Sequence, residues 1–119
     1  MPKLRYKKYS KDDQQILARW AADCAERVLH LFEAEATDDM RPRNAIAKCR
    51  EWAATGVFKM SVIREASLDA HVAAKDVIGK QAACMAAHAA GQAVASWHTP
   101  THALGAFGYA GRAIIASKR

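Results

Sequence analysis

Apolar residues recur at three- and four-residue steps along almost the whole chain. Leu17, Ala21, Cys24, Val28 and Leu31/Phe32 keep that spacing, which predicts one face of a helix from about Lys11 to Ala36. Ser10, with Asp13 three residues on, has the form of a capping box at its start. Thr37-Asp38-Asp39 interrupts the pattern and offers oxygens for the next cap. Pro42 suits the first turn of a second helix, where its missing N–H is no loss. Ile46, Cys49, Trp52 and Ala53 form the inner face of that helix, and Gly56 is placed to end it. Ser61 is the expected cap of a third helix, with Ile63, Ala66, Ala70, Ala73 and Val77 as its stripe. Gly79 marks a stop. A fourth helix runs from about Lys80 to Ser96, with Ala83, Ala87, Ala90, Val94 and Trp97 in register. Pro100 disfavours helix at Thr99, which makes Thr99 the expected N-cap of a fifth helix. Leu104, Phe107, Gly111, Ile114 and Ile115 are its predicted inward residues. With no linker and no strong repeat, the pattern predicts an all-α fold: a compact single-domain bundle of about five helices.

Composition sharpens this picture. Alanine fills 13 of the 35 positions from Ala82 to Ala116. Alanine is the best helix former and β-branched residues are scarce, which excludes a β-sandwich or barrel. The 31 residues from Gln81 to Gly111 carry no charge. A helix without a charged face is normally buried on most sides. Three other helices can hardly wrap two such helices, so part of this hairpin is expected to face another copy, giving a homodimer or higher oligomer. The stretch does not read as a membrane span, because it is rich in Ala and Gly and holds Gln81, His88, Gln92, His98, Pro100 and His102.

The formal net charge is +6. Lys3, Arg5, Lys7, Lys8 and Lys11 all precede the first acid, Asp12, and the remainder holds 13 basic against 12 acidic residues. The sequence therefore divides into a basic N-terminal arm, residues 1–10, and a nearly neutral helical bundle, residues 11–119. Such an arm can touch phosphates without sequence specificity, but a solvated tail accounts for it, and nucleic acid is not an expected partner. Three cysteines without CxxC spacing, and no apolar signal segment, predict a reduced, cytoplasmic protein.

Candidate chemistry lies mainly in the C-terminal half. His98 and His102 are four residues apart, His88 precedes them by one helix, and His71 lies on the helix before that. If a metal is bound, His88, His98 and His102 are its candidate ligands. No HExxH motif is present, and no carboxylate lies between Gln81 and Gly111. The favoured reading is neutral histidines that bridge helices by hydrogen bonds, with no cofactor. Asp23 near the core wants a basic partner, and Arg41 or Arg43 is expected to pair with it and lock the first helix to the second. Asp23, Arg41, Arg43, His71, His88, His98 and His102 thus form the candidate polar cluster. Cys84 and His88 lie one turn apart, yet a cysteine among alanines usually serves as a small hydrophobe. Trp20, Trp52 and Trp97 sit on or beside apolar stripes and are expected to anchor the core.

Four blocks carry a further signal: Trp20-Ala-Ala-Asp-Cys-Ala-Glu26; Asp39-Met-Arg-Pro-Arg-Asn-Ala-Ile46 with Trp52 following; Asp69-Ala-His-Val-Ala-Ala-Lys-Asp76; and Ala90-Gly-Gln-Ala-Val-Ala-Ser-Trp-His-Thr-Pro-Thr-His-Ala-Leu-Gly105. In order and spacing the chain resembles the small bacterial immunity proteins of the Imm-five-like type, from about Trp20 to Tyr109. The resemblance implies an all-helical cytoplasmic protein that binds and blocks a toxin without catalysis. The competing reading is a histidine-lined metal- or ligand-binding bundle with hydrolytic activity. A third is a basic-armed nucleic-acid accessory protein. Inhibitors of basic nucleases are commonly acidic, which speeds encounter. This chain is not acidic, so its target need not be a nuclease.

Overall fold

The computed structural model describes residues 9–97 and 100–119, without the side chain of Pro100. The arm residues 1–8, together with His98 and the expected cap Thr99, lie outside the described residues. Ser10 starts the first helix: its Oγ accepts the Asp13 N–H at 3.1 Å. Helix α1 runs over Lys11–Glu33 and α2 over Arg41–Thr55. Asp39 supplies the oxygen at the second start, where its Oδ1 accepts the Arg41 N–H at 3.0 Å. Gly56 ends α2 in the left-handed region, with φ 71°. Helix α3 spans Met60–Asp76, and its cap position is Lys59 rather than the expected Ser61. Helix α4, Gln81–Val94, tightens into a 3-10 turn over Ala95–Trp97, and α5 follows over Pro100–Ser117. The described residues are therefore all-helical and make five α-helices, as the periodicity predicts. None of these helices is long and apolar enough to cross a membrane.

The bundle is organised around α4, which packs against α1, α2, α3 and α5. Neighbouring helices around it meet in the order α3, α2, α1, α5, while α3 and α5 share almost no contact. Alanine makes this possible. Of the 29 buried apolar residues described, 20 are alanine. Short side chains let helix axes approach closely, so four helices can surround a fifth. Larger fillers, Phe32, Val28, Ile46, Trp52, Ile63 and Val94, occupy the wider gaps.

The predicted inner faces of α2, α3 and α4 are buried apart from their last members, Val77 and Trp97, which are part-buried. That of α5 is not. Its buried residues are Ala103, Ala106, Ala110 and Ala113. Leu104, Phe107, Ile114 and Ile115, expected inside, are exposed. The helix is turned because its alanine stripe can approach α1 and α4 at a distance that bulky side chains would prevent. Trp20 is likewise no core anchor: it lies at the surface, stacked on Phe107 with ring centroids 5.7 Å apart. Trp52 and Trp97 do anchor, each against Phe58 at 5.5 and 4.6 Å.

A core of alanines is tested by enlargement. Ala90→Leu is expected to destabilise the fold by about 1–3 kcal/mol, read as a lower urea midpoint with an unchanged slope. A neutral outcome would mean that α4 has room around it.

Candidate functional site

The seam between α3 and α5 is where α4 shows its polar side. Gln81, Met85, His88 and Gln92 recur there at helical steps and are not fully buried. From α3, His71 reaches His88, with the two Nδ1 atoms 2.7 Å apart. A single proton lies between them: one ring donates and the other accepts. From α5, Tyr109 lies against the His88 ring at 5.1 Å, with the Arg112 guanidinium 5.4 Å above Tyr109. His102 Nδ1 stands 2.7 Å from Gln92 Oε1. That oxygen only accepts, so the proton belongs to His102 Nδ1.

Two glycines make room for these rings. A Cβ at Gly91 would lie 2.7 Å from His71 Nε2. One at Gly105 would lie 2.8 Å from Gln92 Oε1. Ser67 closes the same region by donating to the Gly91 carbonyl at 3.0 Å. Burial pushes the His71 pKa below its ordinary value of 6.5, and His88, His102 and Lys75 push it the same way. Burial, then Lys75, lowers His88 too. The structure thus brings His71, His88 and His102 to one seam. Among the described residues no three His, Cys, Asp or Glu side chains stand where they could hold a metal ion.

Asp23, Arg41 and Arg43 belong elsewhere and do not pair with one another. Asp23 meets Arg50 at 2.9 Å, and Glu26 shares that guanidinium at 2.9 Å. Arg41 bridges Asp39 and Asp76, both at 2.6 Å, so it ties the start of α2 to the end of α3. Arg43 forms a two-pronged pair with Glu33 at 2.7 and 2.6 Å. The cause is the antiparallel return of α2 beside α1. Residues nearest the turn face each other, Glu33 with Arg43, and pairing then runs outward to Glu26 with Arg50 and Gln15 with the Ala53 carbonyl. Asp23 lies ten residues before Glu33 on α1, nearly three turns from the carboxylate that Arg43 meets. Arg43 holds the Glu33 carboxyl, and Arg41 the Asp39 carboxyl, below the usual range. The sequence reading missed Arg50 and Glu33, although their spacing about the turn was there to be read.

The thiols lack activation. Burial pushes Cys49 up to about 12, and its Sγ lies within 3.3 Å of the Ala18 and Ala93 carbonyls. Burial also raises Cys24 and Cys84. A thiol with a raised pKa is a poor nucleophile at neutral pH.

Because the Asp23–Arg50 pair is largely exposed, Asp23→Ala is expected to change unfolding free energy by no more than about 1 kcal/mol. A loss of about 3–5 kcal/mol would require a buried pair. The histidine pair is favoured neutral in the fold and binds protons more readily when unfolded. Its stabilisation is therefore present above about pH 6.5 and is lost as pH falls towards the lowered folded values. The wild-type melting temperature should drop through this window, and His71→Gln should flatten the drop. An identical profile for both proteins would remove the pair as its source.

The arrangement shows a hydrogen-bonded polar seam and closed ion pairs on an alanine-cored bundle. No curated protein and no solved structure matches the chain. The sequence model described as Imm-5 like putative immunity protein matches residues 7–119, which takes in the end of the basic arm as well as every helix. With all but six residues of the chain inside that match, the protein belongs to the Imm-5 like immunity protein family.

Proposed function

We propose that the protein is a non-catalytic immunity protein that binds a bacterial toxin in the cytoplasm and neutralises it. The family match over residues 7–119 carries this reading. The thiols, raised by burial, add support, since they are poorly suited to nucleophilic work.

The charged groups bear on how such a toxin is held. Arg41, Arg43 and Arg50 are each engaged by carboxylates of the same chain. Guanidinium groups already paired contribute little to long-range steering. These three side chains are therefore not the groups that steer a toxin, and the recognition proposed is by shape and apolar burial. One suitable recess lies at the α2–α3 corner, a groove of about 240 Å³ lined by Lys48, Glu51, Trp52, Val57, Phe58, Lys59, Val62 and Ile63.

The experiment is co-expression with the product of the adjoining reading frame, tested as the toxin. Growth should be restored, and the purified pair should associate at a rate that varies little with salt. Absence of protection and of a complex would sink the immunity reading. A rate that falls steeply with salt would keep it but assign recognition to charge.

The meeting of His71, His88, His102 and Gln92 at one seam favours a second reading, a bundle that binds a small hydrogen-bonding ligand. Saturable binding of imidazole that shifts the ring resonances of His71 and His88 would support it over toxin binding.

A further inference from the structure

We infer that the outer face of α5, with the adjoining shoulder of α1, is a surface for pairing with a second copy of this chain. Leu104 is 64%, Phe107 51% and Ile115 57% exposed, and together they line one side of a helix about 27 Å long. Trp20 stacks on Phe107, and Ile16, 61% exposed, lies one turn before Trp20. The strip thus continues from α5 onto α1.

Two glycines lie in the strip. A Cβ at Gly108 or at Gly111 would meet nothing within 4 Å. Both lie inside a helix, and neither has a positive φ. Glycine is the poorest residue for a helix interior after proline. Gly91 and Gly105 are explained by the ring and amide that lie against them. Gly108 and Gly111 have no such reason within the chain. Set between Leu104, Phe107 and Ile115, they leave the helix backbone uncovered between apolar side chains, which would let the ridge of another helix approach closely.

Charge and area identify the occupant. From Pro100 to Gly111 the helix has no charged residue, and Arg112, Lys118 and Arg119 are the only charges at its far end. On α5 itself a partner of opposite charge would find nothing to complement, and the exposed Arg19 and Asp23 beside Trp20 lie on the α1 shoulder only. In a two-fold pair each residue near the axis faces its own copy or a near neighbour, so like charges would repel, and a charge-free face suits self-pairing. Aromatic and large aliphatic side chains exposed to this extent leave several hundred Å² of apolar surface. That approaches the roughly 800 Å² per partner of a standard protein–protein interface. The α2–α3 corner, by contrast, sets its apolar residues among Lys48, Glu51 and Lys59.

The test is sedimentation velocity on the full chain across the micromolar range. The wild type should associate to a dimer. Leu104→Glu and Gly111→Glu should each weaken association roughly tenfold or more, with helicity unchanged by circular dichroism. Leu68→Glu, exposed on α3, should leave association as it is. Gly108→Ala should weaken the dimer while favouring the helix itself, a split that a fault in folding would not produce. A wild type that stays monomeric overturns the inference. If Leu104→Glu then also abolishes protection against the toxin, the strip belongs to the toxin instead. A dimer weakened equally by Leu68→Glu, or indifferent to the α5 variants, overturns it as well.

Discussion

Close approach of helices through alanine is the constraint on which the rest of this structure depends. Helix α4 touches four other helices, and it does so with Ala83, Ala86, Ala87, Ala89, Ala90 and Ala93 turned into its neighbours. Burying an alanine removes little apolar area, so each contact contributes little by the area rule. The gain comes from many short contacts between backbones and methyl groups, with almost no side-chain entropy lost. Such a core has no slack. A methylene added at α4 has nowhere to go, and the ring of His71 fits only because position 91 has no side chain at all.

This constraint also settles where bulky residues lie. On α5 the stripe that can approach α1 and α4 is Ala103, Ala106, Ala110 and Ala113, so Leu104, Phe107, Ile114 and Ile115 turn outward. Hydrophobicity alone points the other way, because it ranks leucine and isoleucine above alanine for burial. The rule failed on α5 for a physical reason: packing distance outweighed transfer free energy. On α2 the same rule succeeded, because Ile46, Cys49 and Trp52 fill the wider space between α2 and its neighbours. Helix existence was legible throughout, from three- and four-residue steps and from Ser10, Pro42 and Gly56 as punctuation. The face of an alanine-rich helix was not, since alanine gives a weak contrast between inside and outside.

The polar residues divide in a similar way. The approach of the histidines on α3, α4 and α5 could be foreseen, because His71, His88 and His102 fall on helices of a charge-poor half that must be neighbours. Their partners could not. The Nδ1 contact between His71 and His88 depends on α3 and α5 leaving a seam over α4. The partner of Asp23 has a plainer explanation. Arg41 and Arg43 suit an acid by their chemistry, but distance from the turn decides which acid each one meets. An antiparallel hairpin places Glu33 opposite Arg43 and carries Asp23 and Glu26 out to Arg50. Geometry of the connection outranks the attraction of any one acid for any one base, since exposed pairs are worth little.

These features bear on how a protein of this family can recognise a partner. Arg41, Arg43 and Arg50 are closed on carboxylates of the same chain, and charges bound in this way add little to on-rate and long-range selection. Its core is closely packed alanine, and a preformed surface on such a support has less ordering cost to meet on contact. The outward turn of α5 places large apolar side chains on that support, which is the physical basis of an anchor at an interface. Alanine packing inside and apolar display outside are thus one consequence of the same sequence choice. A helix that turns its alanines to the core shows its leucine, phenylalanine and isoleucines outward, with Gly108 and Gly111 between them.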